Sequence, residues 1–233
     1  MGGLFKELLP LDTRSVGDGA RRLPVPVLRH VLEAGVAAGV DEVAIVTSSA
    51  KAAALMEVIH SFEIGVPVIY VHQPEPTGLG AAVACAQAQV QRHSATLLLM
   101  PDTLIRPLDA GARALRSVED GTPVAVTLHR VERPERFGVA RLDDERLVGF
   151  ADKPHDPPSA WVWTSVAFAP EFLTFLHEAR PPTGEWGLTE ALDAAARSSA
   201  VRPVFIAEGS FHDIGTYDDY LAALDEVQRA GLR

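Results

Sequence analysis

The sequence is poor in the features that mark several large classes of protein. It has one cysteine in 233 residues, which excludes a disulfide scaffold or a cysteine-ligated zinc site and suggests a reducing compartment. Acidic residues outnumber basic ones by 31 to 21, and no basic stripe is present to neutralise nucleic-acid phosphates. No run approaches the ~20 apolar residues of a membrane span, and no signal-peptide core is visible. We therefore expect a cytoplasmic protein that binds neither nucleic acid nor membrane.

The first half of the chain reads as an alternation of helices and short apolar strands. Hydrophobic residues make up 47% of the chain, enough to bury a core, and the length predicts one domain over 1–233. Strands that are apolar throughout are buried on both faces, which is typical of parallel sheets flanked by helices. The predicted strands are 42–47, 66–71 and 95–100, and the predicted helices are 24–39, 50–62 and 78–91.

The pattern changes after residue 121. Strands with little helix between them indicate a small antiparallel section set against the parallel core. They are followed by two helices, a strand and a closing helix. The predicted strands are 122–131, 138–142, 147–150, 162–168 and 202–207, and the predicted helices are 170–178, 188–199 and 217–230. The sequence thus predicts an α/β fold with a Rossmann-like, mainly parallel sheet flanked by helices.

The loop Gln73–Gly80 joins a predicted strand to a predicted helix, where ligands of open α/β sheets bind. Gly78 and Gly80 allow a close backbone approach and can direct N–H groups at an anion or a planar base. Gln73 offers a donor and an acceptor to a base edge. The alternative is a turn that needs glycines only for its backbone conformation.

Two aspartates and a lysine occupy similar positions after other strands. A carboxylate such as Asp102 at the end of a buried strand is costly unless it binds a metal or caps a turn. Asp213 precedes a helix that Thr216 can cap, and the two aspartates together can hold one Mg²⁺ for phosphoryl or nucleotidyl transfer. Lys153 can place its charge on a substrate phosphate; the alternative is a surface lysine.

Taken together, these segments resemble the sugar-1-phosphate nucleotidyltransferases (nucleoside-diphosphate-sugar pyrophosphorylases) over nearly the whole chain. Gln73–Gly80 is similar to the base-binding loop of the uridylyl- and thymidylyltransferase branches, and Leu98–Asp102 to the strand that ends in a metal-binding aspartate. Other segments resemble the family's sugar contacts, sugar-phosphate contacts and second metal motif. They are Phe137–Val139, Gly149–Pro154, Gly184–Glu185, Leu188–Ala191 and Phe211–Thr216.

The resemblance implies the nucleotide-diphospho-sugar transferase fold, with a nucleotide-binding half in 1–120 and a sugar-phosphate-binding half in 121–233. It implies that a sugar-1-phosphate oxygen attacks the α-phosphorus of a nucleoside triphosphate, UTP or dTTP being favoured, with Mg²⁺ as cofactor and pyrophosphate as the leaving group. A homo-oligomer is compatible with the sequence. The implied site residues are Asp102, Asp213 and Lys153 for catalysis, the two aspartates also binding the metal; Gly2, Gly3, Leu4, Lys6, Gln73, Gly78 and Gly80 for the nucleotide; and Gly138, Lys153 and Glu185 for the sugar phosphate.

The amino-terminal loop departs from the family pattern. Its match begins at Gly2, where the family's first strand would already have ended. Phe5, Lys6 and Glu7 stand where the family has its third glycine, a threonine and a triphosphate-binding arginine. A unit charge at ~4 Å is worth about 4 kcal/mol at an effective dielectric near 20, so a glutamate there is expected to reverse the sign of a large interaction. The family's phosphate-facing lysine corresponds to Ala20.

These departures leave more than one function open. One is an active nucleotidyltransferase, in which Lys6, Arg21 or Arg22 recovers part of the lost positive charge. Another is a catalytically impaired homologue that binds a nucleotide sugar or a partner subunit in a regulatory or assembly role. A glycosyltransferase with a similar sheet is a third.

Overall fold

The structure, a computed structural model, describes residues 5–16 and 21–231. None of the helices described there is long and apolar enough to cross a membrane. The helices are α1 (Val27–Ala37), α2 (Ser49–His60), α3 (Leu79–Cys85), α4 (Gln87–Val90), α5 (Ala110–Glu119), α6 (Phe172–Glu178), α7 (Thr189–Arg197) and α8 (Tyr217–Gly231). The strands are β1 (Pro10–Val16), β2 (Arg21–Pro26), β3 (Val43–Thr47), β4 (Val68–His72), β5 (Thr96–Leu98), β6 (Thr103–Arg106), β7 (Val124–Arg130), β8 (Gly138–Asp143), β9 (Arg146–Asp152), β10 (Trp161–Phe168), β11 (Val201–Ile206) and β12 (Ser210–Asp213).

The predicted α/β architecture is present, but its largest sheet is mixed rather than mainly parallel. Its strand order is β11-β7-β10-β8-β9, and β5 also pairs with β10. β11 runs parallel to β7, whereas β10 is antiparallel to β5, β7 and β8. The pair β3–β4 is parallel, and the pairs β1–β2 and β6–β12 are antiparallel. An antiparallel strand buried on both faces is as apolar as a parallel one, so hydrophobic runs alone did not reveal its direction.

The amino-terminal region differs most from the sequence prediction. The helix expected from residue 24 begins at Val27, because Arg21–Pro26 is extended and pairs with Pro10–Val16. One face of α1 is buried and includes Val27, Val31 and Gly35. The sequence analysis also missed α5, β6 and β12.

A core beneath the β6–β12 pair supports the loops that carry the two aspartates. Leu104 of β6 and Ile214, which directly follows β12, pack against Val27 and Val31 of α1 and Val227 of α8. Ile214 is fully buried, and burying such a side chain contributes roughly 1.5–3 kcal/mol. This packing fixes the backbone on either side of the candidate site.

A buried histidine ties β6 to the large sheet. The His129 ring contacts the Arg106 carbonyl oxygen through Nε2 at 3.0 Å and the Thr164 hydroxyl through Nδ1 at 2.8 Å. A carbonyl oxygen only accepts, so Nε2 carries the proton and Nδ1 accepts from Thr164. Burial lowers the pKa of His129, which keeps the ring neutral and this arrangement intact.

Candidate functional site

The structure brings Asp102 and Asp213 together from distant parts of the chain. Asp102 lies in the turn before β6, and Asp213 ends β12, which pairs with β6 so that Asp213 lies opposite Thr103. The Ile214 backbone N–H donates to the Asp102 carbonyl oxygen at 3.0 Å. The two carboxylates that the sequence singled out therefore share one edge of the fold.

Burial and mutual repulsion make it costly for both carboxyl groups of this pair to be ionised at once. Burial raises the pKa of Asp102. Burial also raises the pKa of Asp213, and the negative charge of Asp102 raises it further. The positive charge of the Lys6 ammonium acts in the opposite direction and lowers the pKa of both carboxylates. Such a pair gains from any cation that can sit between its members.

Glu7 does not act as an unpaired anion in this site. The turn Lys6–Leu8 buries Glu7, whose residue exposure is 5%. Lys51 Nζ lies 2.8 Å from Glu7 Oε1 and 5.4 Å from the centroid of the Phe5 ring. The sign reversal expected from the sequence at Glu7 is therefore offset in part by Lys51, which the sequence did not single out, although the negative charge of Glu7 still raises the pKa of Asp102.

Other residues of the amino-terminal region that the sequence pointed to lie elsewhere. Gly2, Gly3 and Leu4, predicted to bind the nucleotide, lie outside the described residues, as does Ala20. Arg22 is exposed on the β1–β2 hairpin.

The predicted base-binding loop packs against the segment that carries Glu185. The Gly80 N–H donates to the Trp186 carbonyl oxygen at 2.9 Å, and the Trp186 N–H donates to that of Thr77 at 2.7 Å. A Cβ on Gly78 would lie 2.8 Å from Glu185 Cγ, and Gly78 has a φ of +119°. Gln73 Nε2 approaches the Gly78 carbonyl oxygen at 3.4 Å.

Both glycines are thus required by the close approach of two backbones. This supports the alternative that the sequence analysis left open for the loop, while contact with a nucleotide stays a prediction. The structure does bring the loop Gln73–Gly80 and the exposed Glu185 together.

A second group of predicted residues surrounds Gly138. Gly138 pairs with Asp152 across β8 and β9, and the next N–H, that of Lys153, donates to the Phe137 carbonyl oxygen at 2.9 Å. Lys153 is exposed and has a φ of +41°. Non-glycine residues in the left-handed region are uncommon and cluster at functional sites. The structure therefore holds Lys153 in a costly conformation directly beside Gly138.

Trp163 packs over Gly138, and a short chain of hydrogen bonds holds its indole there. Its Nε1 donates to Thr189 Oγ1 at 3.2 Å, and the Thr189 hydroxyl donates to Asp152 Oδ1 at 3.1 Å. A Cβ on Gly138 would overlap the Trp163 indole and lie 2.9 Å from Thr189 Oγ1. Thr189 and Asp152 lie within the segments Leu188–Ala191 and Gly149–Pro154, which resemble motifs of the family.

Contacts between elements join these groups into one site. Phe137, next to Gly138, packs edge-on against Phe211 of β12 with centroids 5.2 Å apart. Thr189 continues the segment that begins at Glu185 and packs on the nucleotide loop. No cluster of three or more His, Cys, Asp or Glu side chains able to hold a metal occurs in 5–16 and 21–231. A pair of carboxylates is instead the usual protein share for Mg²⁺, which keeps waters and phosphate oxygens as its other ligands.

Comparison with known proteins identifies the class. The family model for nucleotidyl transferases matches residues 18–230, and the chain belongs to this family. The predicted family is thereby confirmed.

Individual relatives agree with this assignment. The chain is 30% identical over 239 residues to the glucose-1-phosphate thymidylyltransferase of Streptomyces antibioticus, covering 99% of itself and 64% of that protein, less than two thirds of its length. It is 27% identical over 208 residues to the UTP–glucose-1-phosphate uridylyltransferase of Haloferax volcanii, covering 87% and 84%. A Bacillus anthracis structure assigned as a glucose-1-phosphate thymidylyltransferase, in complex with sucrose, superimposes with a TM-score of 0.82 at 19% identity, over 96% of this chain and 86% of that one. This likeness confirms the fold.

Proposed function

We propose that the protein transfers a nucleoside monophosphate from a nucleoside triphosphate to a sugar-1-phosphate and releases pyrophosphate. The observation that carries the proposal is the pair of half-buried carboxylates of Asp102 and Asp213, which the β6–β12 pairing brings together and on which the positive charge of Lys6 acts. The names of the relatives from Streptomyces antibioticus and Haloferax volcanii support the same reaction and favour dTTP or UTP as donor.

The acidic pair fits a magnesium ion. Its carboxylates are oxygen ligands of the kind that Mg²⁺ prefers, and burial and mutual repulsion already raise the pKa of Asp213, a cost that a divalent cation would relieve. Asp102 and Asp213 would hold the ion. When bound, the ion would neutralise charge on the phosphate oxygens of the donor.

The remaining residues bind and orient the two substrates. Lys6 supplies positive charge at the donor phosphates, and Gln73 offers its amide to the base. Lys153, held rigidly beside Gly138, binds the phosphate of the acceptor. Holding the acceptor oxygen in line with the α-phosphorus lowers the barrier through orientation and charge stabilisation, so no covalent intermediate with the protein is needed.

A pyrophosphate-release screen tests the proposal. Purified protein would be incubated with Mg²⁺, each of the common nucleoside triphosphates and a panel of sugar-1-phosphates. We expect release with UTP or dTTP and one or more hexose-1-phosphates, and its loss in Asp102→Asn and Asp213→Asn variants that remain folded. Silence of the folded wild-type protein across the whole panel would refute the proposal.

The impaired-homologue alternative rested on the departures of the amino-terminal loop at Phe5, Glu7 and Ala20, of which the Lys51–Glu7 ion pair offsets only the charge of Glu7. Calorimetry separates the two functions: tight binding of the Mg²⁺–triphosphate supports the enzyme, whereas binding of a nucleotide sugar alone supports the alternative. A homo-oligomer and a cytoplasmic location stay predictions of the sequence.

A further inference from the structure

An ion pair links the loop of Asp213 to the segment that leads into Gly138. Arg136 closes the 3₁₀ turn Pro134–Arg136, and its guanidinium meets the Asp219 carboxylate with Nη1–Oδ1 at 3.0 Å and Nη2–Oδ2 at 2.8 Å. The two side chains are 29% and 15% exposed. A bidentate, partly buried arginine–carboxylate pair fixes geometry as well as charge. It therefore joins two elements 83 residues apart.

Asp219 is itself fixed by the start of α8. The Thr216 N–H and hydroxyl both donate to Asp219 Oδ2 at 2.8 Å, and the Asp219 N–H donates back to the Thr216 hydroxyl oxygen at 3.2 Å. This reciprocal pattern is a capping box with aspartate as the acidic partner. The Arg136 side chain lowers the pKa of Asp219 well below its usual range, so the carboxylate is charged throughout the physiological range.

The pair and the Asp213 side chain surround Gly215. The position that a Cβ would take on Gly215 is 3.1 Å from Arg136 Nη2, 3.3 Å from Asp213 Oδ2 and 3.3 Å from Asp219 Oδ2. The guanidinium and both carboxylates therefore converge on this glycine, where a Cβ would fit only if these side chains shifted, and the Arg136 charge acts on Asp213. Phe137 packs edge-on against Phe211 of the same strand as Asp213.

We infer that Arg136 and Asp219 are positioning residues that hold the Asp213 carboxylate in register with the Gly138 segment. The inference rests on the proposed function. It means that Asp213, one of the two metal-binding carboxylates, and Gly138, part of the acceptor site, are held together as one rigid unit. Both arms of the Arg136 guanidinium bind Asp219. Arg136 therefore does not bind a ligand itself and influences the metal site through Asp219 and Asp213. The inference goes beyond a role in capping α8, because the capping box does not require Arg136.

The test compares Arg136→Gln with Arg141→Gln. Arg141 forms an ion pair with Asp193, whose side chain is 14% exposed, close to the 15% of Asp219. Arg141 itself is 42% exposed against 29% for Arg136, and Asp193 keeps Arg197 as a partner, so the control removes an arginine–carboxylate pair away from Asp213. The readouts are Mn²⁺ affinity measured by electron paramagnetic resonance and the hydrogen-exchange rates of the amides of 213–217. Loss of a partner that orients a metal ligand typically costs about 10–100-fold in metal affinity.

We expect Arg136→Gln to weaken Mn²⁺ binding at least about tenfold and to speed exchange at Ile214, with Arg136→Lys between it and the wild type. Arg141→Gln should change neither. Because Asp219 remains, the α8 cap stays intact in both, and Gly215→Ala, which presses on the same three side chains, should reproduce the defect.

Equal Mn²⁺ affinity in Arg136→Gln and the wild type, or an equal loss in Arg141→Gln, would overturn the inference, as would a wild-type protein that binds no Mn²⁺. Pyrophosphate release by the wild type decides the proposed function separately. If the wild-type enzyme is active but its Arg136 variants bind Mn²⁺ normally, the proposed function stands and the inference is wrong.

Discussion

Removing the lysine that pairs with Glu7 should destabilise the protein far more than removing Glu7 itself. Glu7 is 5% exposed and Lys51 Nζ lies 2.8 Å from it, whereas the Lys51 side chain is 41% exposed. Lys51→Met leaves a buried carboxylate without its cation. Glu7→Gln leaves an ammonium that can turn toward water.

The magnitude follows from this difference in burial. Breaking a fully buried ion pair by removing one partner costs about 3–5 kcal/mol, and water around the half-exposed Lys51 reduces that to about 2 kcal/mol. For a chain of this size a loss of about 2 kcal/mol lowers the melting temperature by roughly 4–8 °C. Glu7→Gln should cost less than about 1 kcal/mol, since the remaining cation keeps its hydration.

Thermal and urea unfolding of the two single variants and the double variant measures the coupling directly. The double variant should be more stable than Lys51→Met alone, because it removes the uncompensated charge. Lys6→Met is the comparison variant, a cation of the same turn that does not pair with Glu7, and it should lower the melting temperature less than Lys51→Met, because Asp102 and Asp213 are less buried than Glu7, while weakening triphosphate binding. Equal losses in the two single variants that add in the double variant would refute the reasoning.

Three further predictions concern the acidic pair and the two packed glycine sites. The raised pKa values of Asp102 and Asp213 mean that these two groups bind more protons in the folded state than in the unfolded one; urea unfolding without metal should therefore show the wild type losing stability relative to the Asn variants as pH rises from about 4 through the raised pKa values. Gly78→Ala should cost about 1–3 kcal/mol in thermal unfolding, more than Gly39→Ala, because Gly39 has a φ of +92° but nothing within 4 Å of its Cβ position. Trp163→Phe removes the hydrogen bond to Thr189 and should raise the KM for the acceptor while leaving that for the triphosphate unchanged, as steady-state kinetics would show.

Local sequence patterns predicted the position of the acidic pair. Asp102 follows an apolar strand and Asp213 precedes a capped helix, and in α/β folds such positions meet at one edge of the sheet. The Thr216 cap is confirmed by its hydrogen bonds to Asp219. The strand pairing β6–β12 that joins the two sites was missed because both strands are only four residues long.

The charged partners of the site could not be predicted in the same way. Lys51 and Glu7 are 44 residues apart, and Arg136 and Asp219 are 83 apart. Nothing in the local sequence around Lys51 or Arg136 distinguishes these side chains from solvated surface charges. The contact of Trp163 with Gly138 depends on how β8 and β10 pair, which hydrophobic periodicity does not determine.

The fixed charges around the site explain how a net charge of −10 is compatible with a triphosphate as substrate. What matters is the local set, because charges more than about 10 Å apart are largely screened at ~0.1 M salt. The cations of this set are Lys6, Lys51 and Arg136, and the anions are Glu7, Asp102, Asp213 and Asp219. Two of the cations are already paired, Lys51 with Glu7 and Arg136 with Asp219, so Lys6 faces the two central carboxylates and the site is negative overall. A divalent cation on those carboxylates reverses the sign, and the polyphosphate then meets an attractive field that includes Lys6. The acidic pair and the unusual loop are therefore two parts of one charge balance, in which the glutamate is offset locally and the metal would determine whether the donor can bind.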